Sequence, residues 1–158
     1  MTGWDAARLE TYARELAARP ERWRHLIAHD PTQRTYVMLR HDDEVMAWLI
    51  CWMDDHDTGY HDHDGSTGAV AVIAGAVREE RLRLGSPPLE RLATAGQSFT
   101  FTASDIHRVR HTGDRPAVTI HAYSPPLWRM GAYEIDAGGA LRRHSISYAE
   151  ELRPLSAA

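Results

Sequence analysis

Ten histidines in 158 residues is the count that stands out, and three of them fall where they could share a metal ion. His61-Asp62-His63 follows the turn residues at 57–59 and reads as chain leaving that turn as a strand. Alternate side chains of an extended chain share a face, so His61 and His63 point one way and Asp62 the other. Two imidazoles on one strand face are adjacent ligands for a metal. His107 comes later, after an expected strand at 98–102 that a barrel can bring beside the first pair. Three neutral nitrogen ligands with open positions suit Fe(II), and would also accept Zn, Ni, Cu or Mn. Taken alone, an H-x-H pair is equally a polar turn, with His107 an unrelated surface residue. The surroundings bear on this: Gly68, the small apolar run 69–74 and then Gly75 describe a strand closing on a tight turn. The other histidines, His25, His29, His41 and His144, read as surface residues, and His56 and His111 are left outside the metal set.

A second constellation lies at 117–123, where Thr119, His121 and Tyr123 alternate and so face one side of a strand. Threonine and tyrosine favour strands in any case, but a histidine between them in an otherwise apolar run points to a hydrogen-bonded relay.

These residues need elements to hold them. Apolar residues make up 43% and charged residues 25% of the chain, as in an ordinary globular domain. The length suits one domain with a real core. Asp5 can cap a helix in which Leu9, Tyr12, Ala13 and Leu16 recur at helical spacing. A second short helix is expected from Pro20 to about His29, with Trp23, Leu26 and Ile27 on one face and Asp30-Pro31 breaking it. From Arg34 the pattern becomes short apolar or alternating runs at 35–39, 45–53, 69–74, 77–84, 98–102, 117–123, 129–135 and 141–146. Gly, Pro and Asp clusters separate them, among them 85–88. Such spacing predicts an all-β sandwich or closed barrel of the jelly-roll kind, with residues 1–33 a helical segment packed on a barrel domain at 34–158. The tail after Tyr148 either caps the barrel or frays.

Composition also excludes. The formal charge is −4, and the basic residues, all arginine, are scattered among acids, so no basic stripe suggests nucleic acid. Without lysine there is no Schiff-base or P-loop chemistry. One cysteine, Cys51, excludes an internal disulfide framework and multi-cysteine zinc sites. No run approaches the ~18–20 apolar residues of a membrane span, and residues 1–20 carry acids where a signal peptide needs an apolar core. A cytoplasmic location is the expectation.

The glycine-rich lead, H-x-H and distal glycine resemble the first cupin motif, with Gly68 where cupins usually place a glutamate ligand. Three histidines without that carboxylate resemble the thiol dioxygenases of the cysteine dioxygenase family. Cys51-Trp52 ahead of His61-Asp62-His63 is similar to that family's approach to its first ligands, and Ile106-His107-Arg108-Val109 to its third. The stretch from Ala117 to Pro126, with Ser124-Pro125-Pro126 at its end, is similar to its late strand and turn. The resemblance covers about Arg34 to Asp136 and implies a cupin jelly-roll barrel. It also implies one Fe(II) per chain on His61, His63 and His107, small thiol and O2 as substrates, and a relay of Thr119, His121 and Tyr123 whose tyrosine reaches the reacting atoms. Threonine replaces the family's usual serine. Gly68 also stands where animal members carry the cysteine cross-linked to that tyrosine, which resembles the bacterial branch.

The family's carboxylate-binding arginine sits on the strand before the Cys-Trp pair, and alignment puts Tyr36 or Val37 there, flanked by Arg34 and Arg40. With Trp52, Tyr60 and Trp128 near the expected mouth, Trp48 nearby, and Asp54, Asp55 and Asp57 on the approach loop, the expected substrate is a bulkier or cationic thiol such as ergothioneine. L-Cysteine is expected to be a poor one. The alternatives are an L-cysteine dioxygenase, a cupin of another metal chemistry, or a metal- or thiol-sensing cupin without turnover.

Overall fold

The computed structural model describes residues 3–148; the tail from 149 onward, and with it the end of the expected barrel domain, lies outside the described residues. Among the described residues one helix, α1 (Ala6–Ala17), precedes eleven strands: β1 (Thr35–His41), β2 (Met46–Trp52), β3 (His61–Asp62), β4 (Thr67–Ala74), β5 (Ala76–Arg83), β6 (Ser86–Thr94), β7 (Ser98–Phe101), β8 (His107–Thr112), β9 (Ala117–Ser124), β10 (Arg129–Ile135) and β11 (Leu141–Ser147). They form two antiparallel sheets, ordered β1-β2-β9-β4-β7 and β11-β10-β3-β8-β5-β6.

Strand alternation divides the core in two. Met46, Trp48, Ile50 and Trp52 of β2, Val70 and Val72 of β4, and Tyr123 of β9 face Val77, Val109 and Met130 of the other sheet. The intervening residues, Ala47, Leu49, Cys51, Ala69, Ala71, Val118, Ile120 and Ala122, face outward and are covered by Leu9, Ala13 and Leu16 of α1 together with Trp4 and Trp23. A sheet buried on both faces reads as an unbroken apolar run, and β2 and β9 are buried throughout. The helix starts where expected, with the Asp5 carboxylate accepting from the Arg8 N–H at 2.8 Å. Its far end is closed by the Trp23 indole N–H on the Leu16 carbonyl at 3.0 Å.

Three expectations change. The helix expected over Pro20 to His29 is instead two 3-10 turns, Pro20–Arg22 and Arg24–Leu26. β6 occupies the stretch at 85–88 read as a divider; it lies at the edge of its sheet, where proline is tolerated. β8 is additional and carries His107, while the strand expected at 61–63 is the short β3, with His63 just past its end.

Candidate metal centre

β3 is only two residues long, but its place between β10 and β8 is pinned from behind. Asp62 points away from the histidines and accepts hydrogen bonds from Tyr133 Oη (2.5 Å), Arg143 Nε (2.8 Å) and Nη2 (3.0 Å), and the Gly131 N–H (3.1 Å). That clamp turns His61 to the barrel interior, where it stands opposite His107 in register. His63 follows in the same orientation. All three imidazoles are buried, and one nitrogen from each lies within 4.8 Å of the others. Their ring centroids are 4.8, 4.8 and 5.0 Å apart.

The donor set fits a metal. His61 Nδ1 lies 2.9 Å from the Gly59 carbonyl, which takes its N–H and leaves Nε2 as the lone-pair atom. Nε2 of His61 and Nε2 of His63 converge at 3.2 Å. His63 Nδ1 and both nitrogens of His107 are buried without a hydrogen-bond partner among the described residues, an uncommon condition for polar atoms. Burial, reinforced by the neighbouring His61, holds the pKa values of His63 and His107 well below the ordinary histidine range, and neutral imidazole is the ligating form. Among the described residues no carboxylate joins them as a fourth member of the cluster. A Cβ on Gly68 would collide with the ring of Phe101, which stacks on His63 at 4.3 Å and lies tilted against His107 at 4.4 Å. A side chain at position 68 has no room.

The relay faces this cluster from the other sheet. Trp52 Nε1 donates to Thr119 Oγ1 at 2.9 Å, Thr119 Oγ1 lies 2.9 Å from His121 Nε2, and His121 Nδ1 lies 3.2 Å from Tyr123 Oη. An indole N–H only donates, so Thr119 accepts there and can give its own hydrogen to His121 Nε2. The imidazole proton then sits on Nδ1, toward Tyr123. Burial, with Arg34 and His61 nearby, lowers the His121 pKa to about 3, so this ring is neutral.

The residues expected to line the pocket divide sharply. Arg34 is buried and borders the same pocket as His61, His107, His121 and Tyr123. Its Cζ lies 5.3 Å over the Trp52 ring, which itself stacks on His121 at 6.1 Å. Tyr36 packs edge-on against Trp48 at 5.6 Å.

Arg40, Tyr60 and Trp128 stand elsewhere. A bulge between Met38 and Arg40 sets Arg40 opposite Ala47 on the helix side of the sheet, where it pairs with Asp42 at 2.6 Å. Tyr60, one residue from the inward His61, faces out and donates to Glu80 at 2.9 Å. Trp128 is 68% exposed beside His41. Of the approach-loop acids, Asp57 pairs with Arg108 and the exposed Asp54 lies 3.4 Å from His111 Nδ1.

One buried residue was missed. Glu79 of β5 sits 3.6 Å from His107 Nδ1. The available signal was alternation, which puts it on the inward face with Val77.

A family model for cysteine dioxygenase type I matches residues 5–136. Cysteine dioxygenase type 1 of Danio rerio is 24% identical over 100 residues, covering 57% of this chain and 50% of that protein. The Rattus norvegicus protein is 25% identical over 101 residues with the same coverage, so the chain spans about half the length of these relatives. Among solved structures, TT1209 from Thermus thermophilus superposes with a TM-score of 0.58 at 19% identity, covering 65% of this chain and 92% of that one. A double-stranded β-helix protein from Klebsiella pneumoniae gives 0.57 at 12% identity, covering 65% and 80%. These likenesses establish the fold as a cupin barrel.

Proposed function

Because the chain belongs to the cysteine dioxygenase type I family, we propose that it is an iron-dependent thiol dioxygenase, adding both atoms of O2 to a thiol sulfur to give a sulfinate. The observation that carries this reading is the convergence of three buried imidazoles on a pocket that also holds Arg34, His121 and Tyr123. His61, His63 and His107 would hold one Fe(II) per chain. When bound, that iron supplies the redox partner that lets triplet O2 react with a closed-shell thiolate.

The chain's own residues do the rest. The three ligands are neutral, so the anionic charge the site favours comes from the substrate thiolate. Tyr123, receiving the Nδ1–H of His121, directs its own O–H at the reacting sulfur and oxygen atoms. Thr119 and Trp52 hold His121 in the orientation this requires. Arg34 binds a carboxylate through its fixed fork of donors.

The substrate reading follows from Arg34. Of the residues behind a cationic thiol, Tyr60 and Asp57 are paired with Glu80 and Arg108 and Trp128 is exposed, while Trp52 already carries the Arg34 guanidinium over its ring. We therefore read the substrate as a small thiol bearing a carboxylate, a feature that L-cysteine and ergothioneine share. A reducing cytoplasm, in which Fe(II) persists and the free, buried Cys51 stays reduced, suits this chemistry.

The test is O2 consumption by anaerobically Fe(II)-loaded protein with cysteine, 3-mercaptopropionate, ergothioneine and cysteamine, with mass spectrometry of the products. Sulfinates from the carboxylate-bearing thiols, with cysteamine the poorest substrate, are expected. Cysteamine as the best substrate would overturn the role of Arg34. Iron and thiol binding without sustained O2 uptake would make the protein a sensor.

A further inference from the structure

We propose that Glu79 is a positioning residue for the metal centre, taking the Nδ1–H of His107 and so presenting its Nε2 to the ion. The inference deepens the reading above and rests on a metal held by the three histidines.

Glu79 lies on β5 and His107 on β8, neighbouring antiparallel strands in which Arg81 is the register partner of His107 and Glu79 that of Val109. Both side chains turn into the barrel, with Glu79 2% and His107 1% exposed. Glu79 Oε1 is 3.6 Å from His107 Nδ1, slightly beyond hydrogen-bond reach. A small rotation of either side chain closes that gap.

Oε1, the oxygen recorded nearest His107, is already taken by Arg81. His107 Nδ1 and the other carboxylate oxygen, Glu79 Oε2, are both buried without a hydrogen-bond partner among the described residues, and a rotation that brings Oε2 to Nδ1 satisfies both. A neutral imidazole carries one N–H. Ligation through Nε2 places it on Nδ1, facing the carboxylate. Such a carboxylate fixes the ring tautomer and orientation and raises the basicity of the ligating nitrogen.

The carboxylate is itself held. Arg81 Nη2 and Nε donate to Glu79 Oε1 at 2.6 and 3.0 Å, and Nη2 also donates to the Thr100 carbonyl at 2.9 Å. Arg81 Nη1 reaches Asp105, two residues before His107, at 3.4 Å. Pairing with Arg81 alone does not account for Glu79, because Asp105 also serves that guanidinium while Glu79 Oε2 is left over.

The experiment measures Co(II) affinity by anaerobic chelator competition, together with the visible Co(II) spectrum, for wild type, Glu79→Gln and Glu79→Leu. Glutamine keeps the shape but removes the charge, and its single carbonyl oxygen is contested by Arg81. Affinity is expected to fall about 10-fold in Glu79→Gln and up to ~100-fold in Glu79→Leu, with a shifted ligand-field band and an unchanged far-UV circular dichroism spectrum. Wild-type affinity and spectrum in Glu79→Gln would overturn the proposal, and that variant decides the matter if Glu79→Leu does not fold. Failure of the wild type itself to bind Co(II) would instead overturn the three-histidine metal reading. Because no turnover is measured, neither outcome depends on which thiol is the substrate.

Discussion

Tyr123 and His121 occupy alternate positions on β9, and the strand pairing explains why both reach the pocket. Tyr123 is opposite Gly68, and His121 opposite Val70 on one side and Trp48 on the other. Glycine at 68 admits the ring of Phe101, whose centroid lies 6.0 Å from that of Tyr123 and which also backs the histidines. Packing by Phe101 therefore holds the tyrosine where no side chain at 68 exists to tether it. Tyr123→Phe keeps that packing and removes only the hydroxyl, so it should retain metal while turnover falls by ~10²–10⁴-fold. Metal content and kcat on one preparation check this; unchanged kcat would leave the hydroxyl a structural role.

At the scale of elements, β1, β2, β4, β5, β7, β9, β10 and β11 were legible as apolar or alternating runs, and their boundaries lie within two residues of the runs read there; the mostly exposed β6 was not. The strands that carry the ligands were harder. β3 has two residues, and only the turn before it and the alternation of its histidines mark it as a strand. β8 is His-Arg-Val-Arg-His-Thr, with a single apolar residue facing in and arginines facing out. The His61–His63 face was legible from alternation alone. The direction of Arg40 was not, because a bulge reverses parity and leaves no mark in composition. Glu79 lies inside a run legible as a strand, but in Val-Arg-Glu-Glu-Arg the adjacent charges mask its inward parity with Val77.

Hairpins have their own pH signature. The Asp42 carboxylate accepts the Glu44 and Val45 N–H groups at 2.9 and 3.0 Å in the β1–β2 turn. Those bonds hold its pKa below the ordinary carboxylate value, with Arg40 adding to the effect. A depressed folded pKa contributes stability that is present above about pH 4 and lost as pH falls through the folded value. Asp42→Asn should therefore be less stable than wild type at neutral pH, and the difference should shrink as the solution is acidified. Urea midpoints at several pH values measure it.

For the whole molecule, the site exists only where the two sheets face each other. His61 and His107 come from the six-stranded sheet, and Trp52, Thr119, His121 and Tyr123 from the five-stranded one. A ligand bound only by the folded chain stabilises it by RT ln(1 + [L]/Kd), about 2.7 kcal/mol at a hundredfold excess over Kd. At the usual ~2–4 °C per kcal/mol for a domain of this size, iron or cobalt should raise Tm by about 5–10 °C. A chelator should reverse the shift, and His107→Ala should abolish it. Calorimetric scans with and without metal decide this.

The most direct test of the central claim is the origin of the oxygen in the product. Fe(II)-loaded protein is given a carboxylate-bearing thiol under ¹⁸O2 in ordinary water, and the product is weighed by mass spectrometry. A sulfinate in which both oxygens on sulfur are labelled is expected, and no such product from His107→Ala. A product carrying one labelled atom or none, or labelled carbon in place of sulfur, would contradict the claim.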